Sequence, residues 1–371
     1  MKRFFRLALV SGLSAVLIGT AGAFVSANAS VDAEASTIER FTDLLRQDAS
    51  AGDAALFAGK NIYFAETSGE PSRFDRSATG ISMFGALLRG LGANLYALDW
   101  RQPFPDNIDV IVIPNPASDY TADQLSRLWA HMNGGGRVFM ALNPVTDRAA
   151  RERGAFAGSN GLFLLLNADF GLTAVDNMVA VETEGDAGTT LGIRFNTSDV
   201  DAHPITENLS GPLEFAGARS VTVNTPLSGG AVTPLIYAPE GFYGESAFQA
   251  YIDTGAYNFD IGADTTPGRI PLAAVYENPA TGTRLFLIGD RDFIANGVGF
   301  AVSPTASLGF VYPNNVIVAL QAMAWLLESN NPVLAFPTPA ATATPTITPS
   351  PLPPTPTPTP TGAPATPTAG S

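Results

Sequence analysis

Short, almost wholly apolar runs alternate with helical patterns between Asn61 and Leu142, and this alternation restricts the fold more than any other feature of the chain. The apolar runs cover residues 61–65, 94–98, 109–114 and 137–142. Runs that are apolar on both faces are typical of strands buried within a parallel sheet. Helical patterns separate them at residues 82–91 and 121–132. The sequence therefore predicts an α/β fold, with a mostly parallel sheet and helices on both faces.

Both helical patterns carry signals at their ends. Gly92 follows the first helix at a position that favours glycine. Thr121 and Gln124 form a capping box at the start of the second helix, and residues 134–136, GGG, end it. Phosphate-binding glycine loops run from a strand into a helix, whereas this triple glycine runs from a helix into a strand. We therefore expect no nucleotide site there.

The α/β domain is expected to cover residues 61–330. Between about residue 150 and residue 266 the pattern is less regular, and we interpret this part as a β-rich insertion with one short helix at 162–166. Its candidate strands are residues 178–182, 191–195, 220–223 and 233–237. Afterwards, two apolar runs at 270–276 and 283–288 predict a hairpin, and a final helix is predicted at 314–328.

The two ends of the chain differ from its body. In residues 1–29, basic side chains precede an apolar run, as in an export signal. The run is also long enough to cross a bilayer, so a cleaved signal peptide and a retained signal anchor both remain open. Residues 30–60 are expected to contain a lead-in helix. Residues 337–371 are uncharged and rich in Pro and Thr, which predicts a disordered, extended tail.

The leader also predicts where the protein resides. Its positive end would stay in the cytoplasm, so the body is expected to be extracytoplasmic, either anchored to the cell membrane by its N-terminus or secreted. An uncleaved leader would be the protein's contact with the membrane.

Composition excludes several kinds of chemistry. The chain has no cysteine, so thiol catalysis, disulfides and thiolate metal sites are impossible. A net charge of −14 argues against a nucleic-acid partner. Neither a G-x-S-x-G elbow nor a Walker A motif is present, which disfavours a serine hydrolase and ATP hydrolysis by this chain. We expect no cofactor, no metal and no catalytic residue.

The two histidines are expected to be structural. His131 lies near the end of the second helix, where an imidazolium would complement the helix dipole. His203 precedes Pro204 and is expected at a turn.

The candidate ligand-binding residues lie where predicted strands end. One group follows the run at 283–288, and the other lies in the loop after residues 61–65. Because the carboxyl ends of parallel strands share one edge of the sheet, we expect the groups to meet and to receive an anionic or sugar-like ligand. There are two structural alternatives to a binding site. The charged side chains of the loop after residues 61–65 would simply be exposed to solvent, and the two aspartates would cap backbone amides. The six residues are Glu66, Ser68, Arg73, Arg76, Asp290 and Asp292.

Several short motifs resemble a known family. Residues 285–293 read LFLIGDRDF, residues 203–206 read HPIT, and Asn314-Asn315 begins a helix that ends in Trp325-Leu326. This pattern resembles the extracytoplasmic domain of the ABC-transporter auxiliary family typified by the gliding-motility protein GldG, and related domains of unknown function. The likeness covers most of residues 61–328. Arg291 stands where the family usually has Ser, and the Pro/Thr tail stands where a transmembrane bundle would follow.

The resemblance implies a fold similar to class I glutamine amidotransferases and to flavodoxin, without the amidotransferase catalytic residues. Together with the export signal and the lack of catalytic motifs, the resemblance implies an exported, non-enzymatic binding or scaffold domain of the cell envelope, with a membrane transporter or other envelope proteins as partners. The alternative is a cation-dependent extracytoplasmic hydrolase that acts on carbohydrate. That enzyme would gather Asp290, Asp292 and Glu66 around the ion.

Overall fold

A computed structural model describes the chain at residues 36–40, 43, 55–144, 161–185, 188–248, 263–303, 306 and 309–328. The chain divides into two units, Met1–Thr338 and Pro339–Ser371, and all of these residues belong to the first. The predicted leader and the Pro/Thr tail lie outside the described residues, as does most of the lead-in segment, of which residues 36–40 are helical. In the part of the chain that the structure describes, no helix has the length and apolarity to cross a membrane.

Helices alternate with strands in the first half of the chain, and short strands dominate the middle. In chain order the elements are β1 (Asn61–Phe64), α1 (Ser82–Gly90), β2 (Asn94–Ala97), β3 (Val110–Pro114), α2 (Ala122–Asn133), β4 (Arg137–Ala141), α3 (Gly161–Phe170), β5 (Leu172–Ala174), β6 (Met178–Gly185), β7 (Gly188–Gly192), β8 (Arg194–Thr197), β9 (Leu213–Ala216), β10 (Val221–Val223), β11 (Ala231–Tyr237), β12 (Tyr243–Glu245), β13 (Pro271–Asn278), β14 (Thr283–Ile288) and α4 (Pro313–Leu327).

A seven-stranded sheet forms the centre, in the order β11-β13-β14-β4-β3-β1-β2. Strands β2, β1, β3, β4 and β14 run parallel to one another, whereas β13 and β11 extend the sheet in antiparallel fashion. Numbered along the chain, the parallel strands have the order 2-1-3-4-5. The predicted mixed α/β class with a mostly parallel sheet is confirmed, as is the hairpin formed by β13 and β14.

Alternation along each strand divides the interior into two cores. In β1, Ile62 and Phe64 pack into one core, whereas Tyr63 packs into the other. Helices α1 and α4 cover the first core, and α2 and α3 cover the second. Both faces of the sheet are thus covered by helices, which explains why the inner strands β1, β3 and β4 are apolar and buried at nearly every position. The outermost strand β2 is largely exposed, although its apolar run predicts a buried strand.

The predicted helix signals operate in the structure. Thr121 and Gln124 form the capping box of α2, with each side chain accepting the other residue's amide. After α1, Gly92 adopts a φ of 98°, which a residue with a side chain rarely adopts. The sequence predicts the end of α1 and the start of α2 correctly, because these signals depend on neighbouring residues alone.

One strand departs from the predicted insertion. β11 lies inside the interval from about 150 to 266, yet it pairs with β13 and is an outermost strand of the central sheet. Ile236 is fully buried in the first core, so its burial explains the pairing. Pro234 is tolerated in β11 because an edge strand leaves some amides unpaired. The other strands of the interval form small sheets: β5 with β10, β6 with β7 and β12, and β8 with β9.

Two arginines hold the end of α4. Arg137, at the start of β4, donates from Nη1 to the Leu327 carbonyl at 2.6 Å. Arg284, near the start of β14, donates to the carbonyls of Trp325 and Glu328 and lies 4.7 Å from the centre of the Trp325 ring. Cationic donors suit the free carbonyls at a helix C-terminus. The final helix therefore ends at the edge of the sheet where the parallel strands begin.

Candidate functional site

The parallel strands end at one edge of the sheet, and the segments that follow them form the carboxyl edge. We define the carboxyl edge as residues 65–80 after β1, 115–118 after β3, 142–144 after β4 and 289–300 after β14. The strand order reverses at β1 and β3, and doubly wound sheets bind ligands beside such a switch point. All six predicted site residues lie in these segments.

Asp290 is fully buried and serves as an acceptor for backbone amides. Its Oδ2 accepts the Ala216 amide at 2.8 Å, and its Oδ1 accepts the Phe293 amide at 3.2 Å. Burial, together with the charge of Asp292, raises the pKa of Asp290 well above the usual range of an aspartate. The side chain thus caps the turn that follows β14 and ties that turn to β9.

Asp292 does not share the environment of Asp290. Its Oδ1 accepts from the guanidinium of Arg291, at 2.9 Å from Nε. The Arg291 amide donates to the Asn143 side chain, so this turn also contacts the end of β4. Asp290 therefore accepts hydrogen bonds from backbone amides, whereas Asp292 accepts from the Arg291 side chain.

The loop after β1 is closed by an ion pair. The Glu66 carboxylate accepts from Nη1 and from the backbone amide of Arg73, both at 2.7 Å. Both side chains are 14% exposed, which shields the pair from water. Glu66 is thus engaged within its own loop.

Ser68 connects this loop to the segment after β3. Its amide donates to Glu70 at 2.6 Å, and Glu70 also accepts the Tyr120 hydroxyl at 2.7 Å. The Ser68 carbonyl accepts the amides of Ala117 at 2.8 Å and Ser118 at 3.0 Å. Ser68 and Glu70 therefore hold together the loops on the two sides of the switch point.

Asparagines link the ends of the next strands. Asn115, directly after β3, has a φ of 57°, a left-handed conformation that Asn tolerates better than most residues. Its Oδ1 accepts the Asn143 amide at 2.9 Å. Together with the contact from Asn143 to Arg291, this chain of bonds joins the ends of β3, β4 and β14.

Asn296 joins the two groups of predicted residues and was not predicted from the sequence. Its Nδ2 donates to the carbonyls of Asp75 at 3.0 Å and Ser77 at 2.9 Å, and its Oδ1 accepts the Met83 amide at 2.9 Å. The neighbouring Gly297 amide donates to the Ala78 carbonyl at 2.7 Å. The segments after β1 and β14 do meet at the carboxyl edge, through Asn296 and Gly297 rather than through the predicted carboxylates.

Gly289 allows another close approach at this edge. Its carbonyl accepts the Arg219 amide at 2.7 Å, and a Cβ at Gly289 would lie only 2.0 Å from the Arg219 carbonyl oxygen. Arg219 is fully buried, donates from Nε to the Val175 carbonyl at 2.6 Å and lies over the Phe163 ring. The segment between β9 and β10, which contains Arg219, thus packs directly against the end of β14.

The remaining predicted residue, Arg76, is exposed. Phe74, two residues earlier, is 57% exposed. The guanidinium carbons of Arg73 and Arg89 lie 4.5 Å and 5.5 Å from the centre of its ring. The loop after β1 therefore presents the Phe74 ring and Arg76 to solvent.

The expectation that His131 is a charged group at the helix end is wrong. Burial lowers the pKa of His131 to about 4, so its imidazole is neutral near pH 7. Its ring packs edge-on against Phe104 at 5.9 Å. The expected turn at His203 is present, since His203 Nδ1 accepts the Ile205 amide at 3.2 Å at the start of a 3-10 turn.

Among the described residues, no group of three or more His, Asp or Glu side chains is placed to hold a metal ion. The three carboxylates that a cation-dependent hydrolase would need accept instead from backbone amides or arginines.

Comparisons with known proteins identify no family. No family model and no curated protein matches the chain. Among solved structures, the mmIFT52 N-terminal domain is similar with a TM-score of 0.49 and 13% identity, over 72% of this chain and 98% of that one. A ThuA-like protein from Bacteroides uniformis has a TM-score of 0.38 and 15% identity, over 73% of this chain and 91% of that one. At these TM-scores the similarities carry no argument about function.

Proposed function

We infer that the protein is an exported, non-enzymatic binding or scaffold domain of the cell envelope, similar to the accessory domains of ABC transporters. The observation that supports this proposal is that carboxylates at the carboxyl edge form hydrogen bonds within the protein. Glu66 and Asp290 accept hydrogen bonds that hold loops in place, and Asp292 accepts from the side chain of the adjacent Arg291. Such loops form a rigid surface for a partner.

Rigidity favours binding because loops that are already ordered lose little conformational entropy when a partner docks. The loop after β1 is fixed at three points: by the Glu66–Arg73 pair, by Ser68 and by Asn296. These contacts span residues 66–77, nearly the whole loop. The carboxyl edge is therefore preorganised for recognition.

The strand order supports the finer architecture that the resemblance implies. The order 2-1-3-4-5 of the parallel strands is that of flavodoxin-like sheets, in which ligands bind at the carboxyl edge. A glutamine amidotransferase-like fold without catalytic residues is our proposal for this domain. Its assignment to the envelope rests on the leader at residues 1–29, and its link to transporters rests on the family resemblance.

Affinity capture from the native envelope tests the proposed role. The full chain, with a tag after its tail, is expressed in its own host, crosslinked in the cells and purified from the envelope fraction. We expect a transporter subunit or another envelope protein to be enriched reproducibly over a tagged, unrelated exported protein.

The hydrolase alternative is tested on the same preparation. Carbohydrate hydrolysis that requires added Ca²⁺ or Mg²⁺ and is lost in both Asp290→Asn and Asp292→Asn would overturn the proposal. Failure to enrich any envelope protein would also count against it.

A further inference from the structure

Phe74 is the centre of a surface patch in which Arg73 pairs with Glu66, whereas the exposed side chains of Phe74, Arg76 and Arg89 have no role in the contacts that fix the loop. We define the arginine patch as Phe74 with Arg73, Arg76 and Arg89. Arg73 and Arg89 lie beside the Phe74 ring, and Arg76 is exposed in the same loop. In the part of the chain that the structure describes, Arg76 and Arg89 form no ion pair with an acidic side chain, whereas Arg73 pairs with Glu66.

The position of the ring follows from the packing of the loop on α1. Gly85 lets the loop approach the helix, since a Cβ there would lie 3.0 Å from the Arg73 carbonyl oxygen. Phe74 therefore lies on the outer side of α1, within reach of Arg89 in the last turn. Asn296 holds the carbonyls of Asp75 and Ser77, which follow Phe74 in the loop. The position of the ring is therefore fixed by the fold rather than by a partner.

The charge of the patch contrasts with that of the whole chain. The protein has 20 basic and 34 acidic residues and a net charge of −14, so two arginines beside one exposed ring, with a third exposed in the same loop, are a local exception. Arginine and aromatic side chains are also the residue types that contribute most to protein–protein binding energy. Charge complementarity therefore indicates an acidic ligand with an apolar group between its charges.

We propose that the arginine patch is a docking site for an acidic peptide segment of a protein partner. An apolar side chain of that segment covers the Phe74 ring, and its carboxylates pair with Arg76 and Arg89. Nucleic acids and anionic membranes present dense negative charge that the rest of this acidic chain would repel, whereas a short segment with a few carboxylates contacts the patch alone. The inference rests on the proposed binding function and specifies the chemistry of the partner.

A peptide titration tests the inference directly. The purified full chain is titrated into a short fluorescein-labelled peptide in which glutamate alternates with leucine, and fluorescence anisotropy is measured. We expect saturable binding that weakens as salt is added, because salt screens exposed charges. The same peptide with glutamine in place of glutamate should bind at least about tenfold more weakly.

Variants locate the binding to the patch. Phe74→Ala and Arg76→Glu should each weaken peptide binding about tenfold, and Arg76→Glu combined with Arg89→Glu should abolish it. Matched controls are Leu227→Ala, whose side chain is 81% exposed, and Arg101→Glu, whose side chain is 88% exposed. The controls should change affinity by less than about twofold, since exposed groups outside a binding site contribute little. Urea midpoints equal to that of the wild type verify that the variants are folded.

Three results would overturn the inference: no peptide binding by the wild type, equal binding of the glutamate and glutamine peptides, or equal losses in the patch variants and their controls. Binding to phosphatidylglycerol vesicles without peptide binding would assign the patch to a membrane and reject the peptide partner. If the peptide does not bind but envelope capture still recovers a partner, this inference alone fails. If capture recovers no partner, the proposed function fails as well.

Discussion

At the scale of single residues, Asn296 organises more of the carboxyl edge than any predicted site residue. Helix α1 has no side-chain cap of its own, because Ile81 stands at its N-cap position. Asn296 supplies that cap from 213 positions away, through its bond with the Met83 amide. Its amide group also holds the carbonyls of the preceding loop. One side chain thus ends the loop and starts the helix.

Replacing this side chain should destabilise the fold. We expect Asn296→Ala to lower the free energy of unfolding by about 2–3 kcal/mol, because it removes a helix cap and two further hydrogen bonds to partly buried carbonyls. Urea unfolding measures the change. Asn94→Ala is the matched control, since the bonds of Asn94 are exposed and should contribute within about 0.5 kcal/mol. Equal effects of the two substitutions would contradict the role of Asn296.

The buried histidines predict a pH dependence of stability. Burial lowers the pKa values of both His131 and His203 from 6.5 to about 4. Between pH 6.5 and about 4 the unfolded chain therefore binds more protons than the folded chain, and these groups make stability fall as the pH falls. Each contributes a slope of up to about 1.4 kcal/mol per pH unit.

Histidine variants isolate this contribution from that of the buried acids. Burial raises the pKa values of Asp290, Glu214 and Glu245, and these groups contribute the opposite slope in part of the same range. We expect His131→Gln and His203→Gln to lose stability less steeply than the wild type between pH 6.5 and pH 5, as measured by urea unfolding. Parallel pH profiles for the wild type and both variants would refute the assignment.

At the scale of elements, α4 depends on partners from two strands. Arg284 donates to the carbonyls of Trp325 and Glu328, and it also pairs with Glu277. A lysine retains the charge but lacks the planar set of donors. Arg284→Lys should therefore lower the free energy of unfolding by about 1–3 kcal/mol. Thermal unfolding checks this expectation against Arg101→Lys, an exposed control; a change no larger than that of the control would contradict it.

The elements that were predicted correctly are those whose signals are local. β3 is buried at every position, and this double burial requires the apolar run from which it was predicted. The capping box of α2 likewise lies within four residues. The strands β5, β9 and β12 were missed because they have only three or four residues and depend on pairing with distant segments. β11 was found as a strand, but its place in the central sheet depends on a partner far along the chain.

The same limit applies to the candidate site. The rule that parallel strands end at one edge predicts that Asp290 and Glu66 lie at the carboxyl edge, and the structure places both residues there. The bond from the Phe293 amide to Asp290 agrees with the alternative that the aspartates cap backbone amides, whereas the bond from the Ala216 amide could not be predicted, because Ala216 lies 74 positions from Asp290. Asn296 gave no sequence signal except that it follows the aspartates in the turn after β14.

At the scale of the whole molecule, the two edges of the sheet have different roles. The edge where the parallel strands begin holds the end of α4 through Arg137 and Arg284. The opposite, carboxyl edge carries the fixed loops, and the loop after β1 contributes Phe74 to the arginine patch. The proposed function therefore predicts that partners contact the carboxyl edge preferentially.

Site-specific photocrosslinking in the host cell tests this central claim most directly. A photoreactive amino acid replaces Thr79, an exposed residue of the carboxyl edge, or Ala280, an exposed residue of the hairpin at the opposite edge. After illumination, mass spectrometry identifies the proteins joined to each position. The account predicts a reproducible adduct with an envelope protein from Thr79 and none from Ala280. Adducts of equal yield from both positions, or none from Thr79, would contradict it.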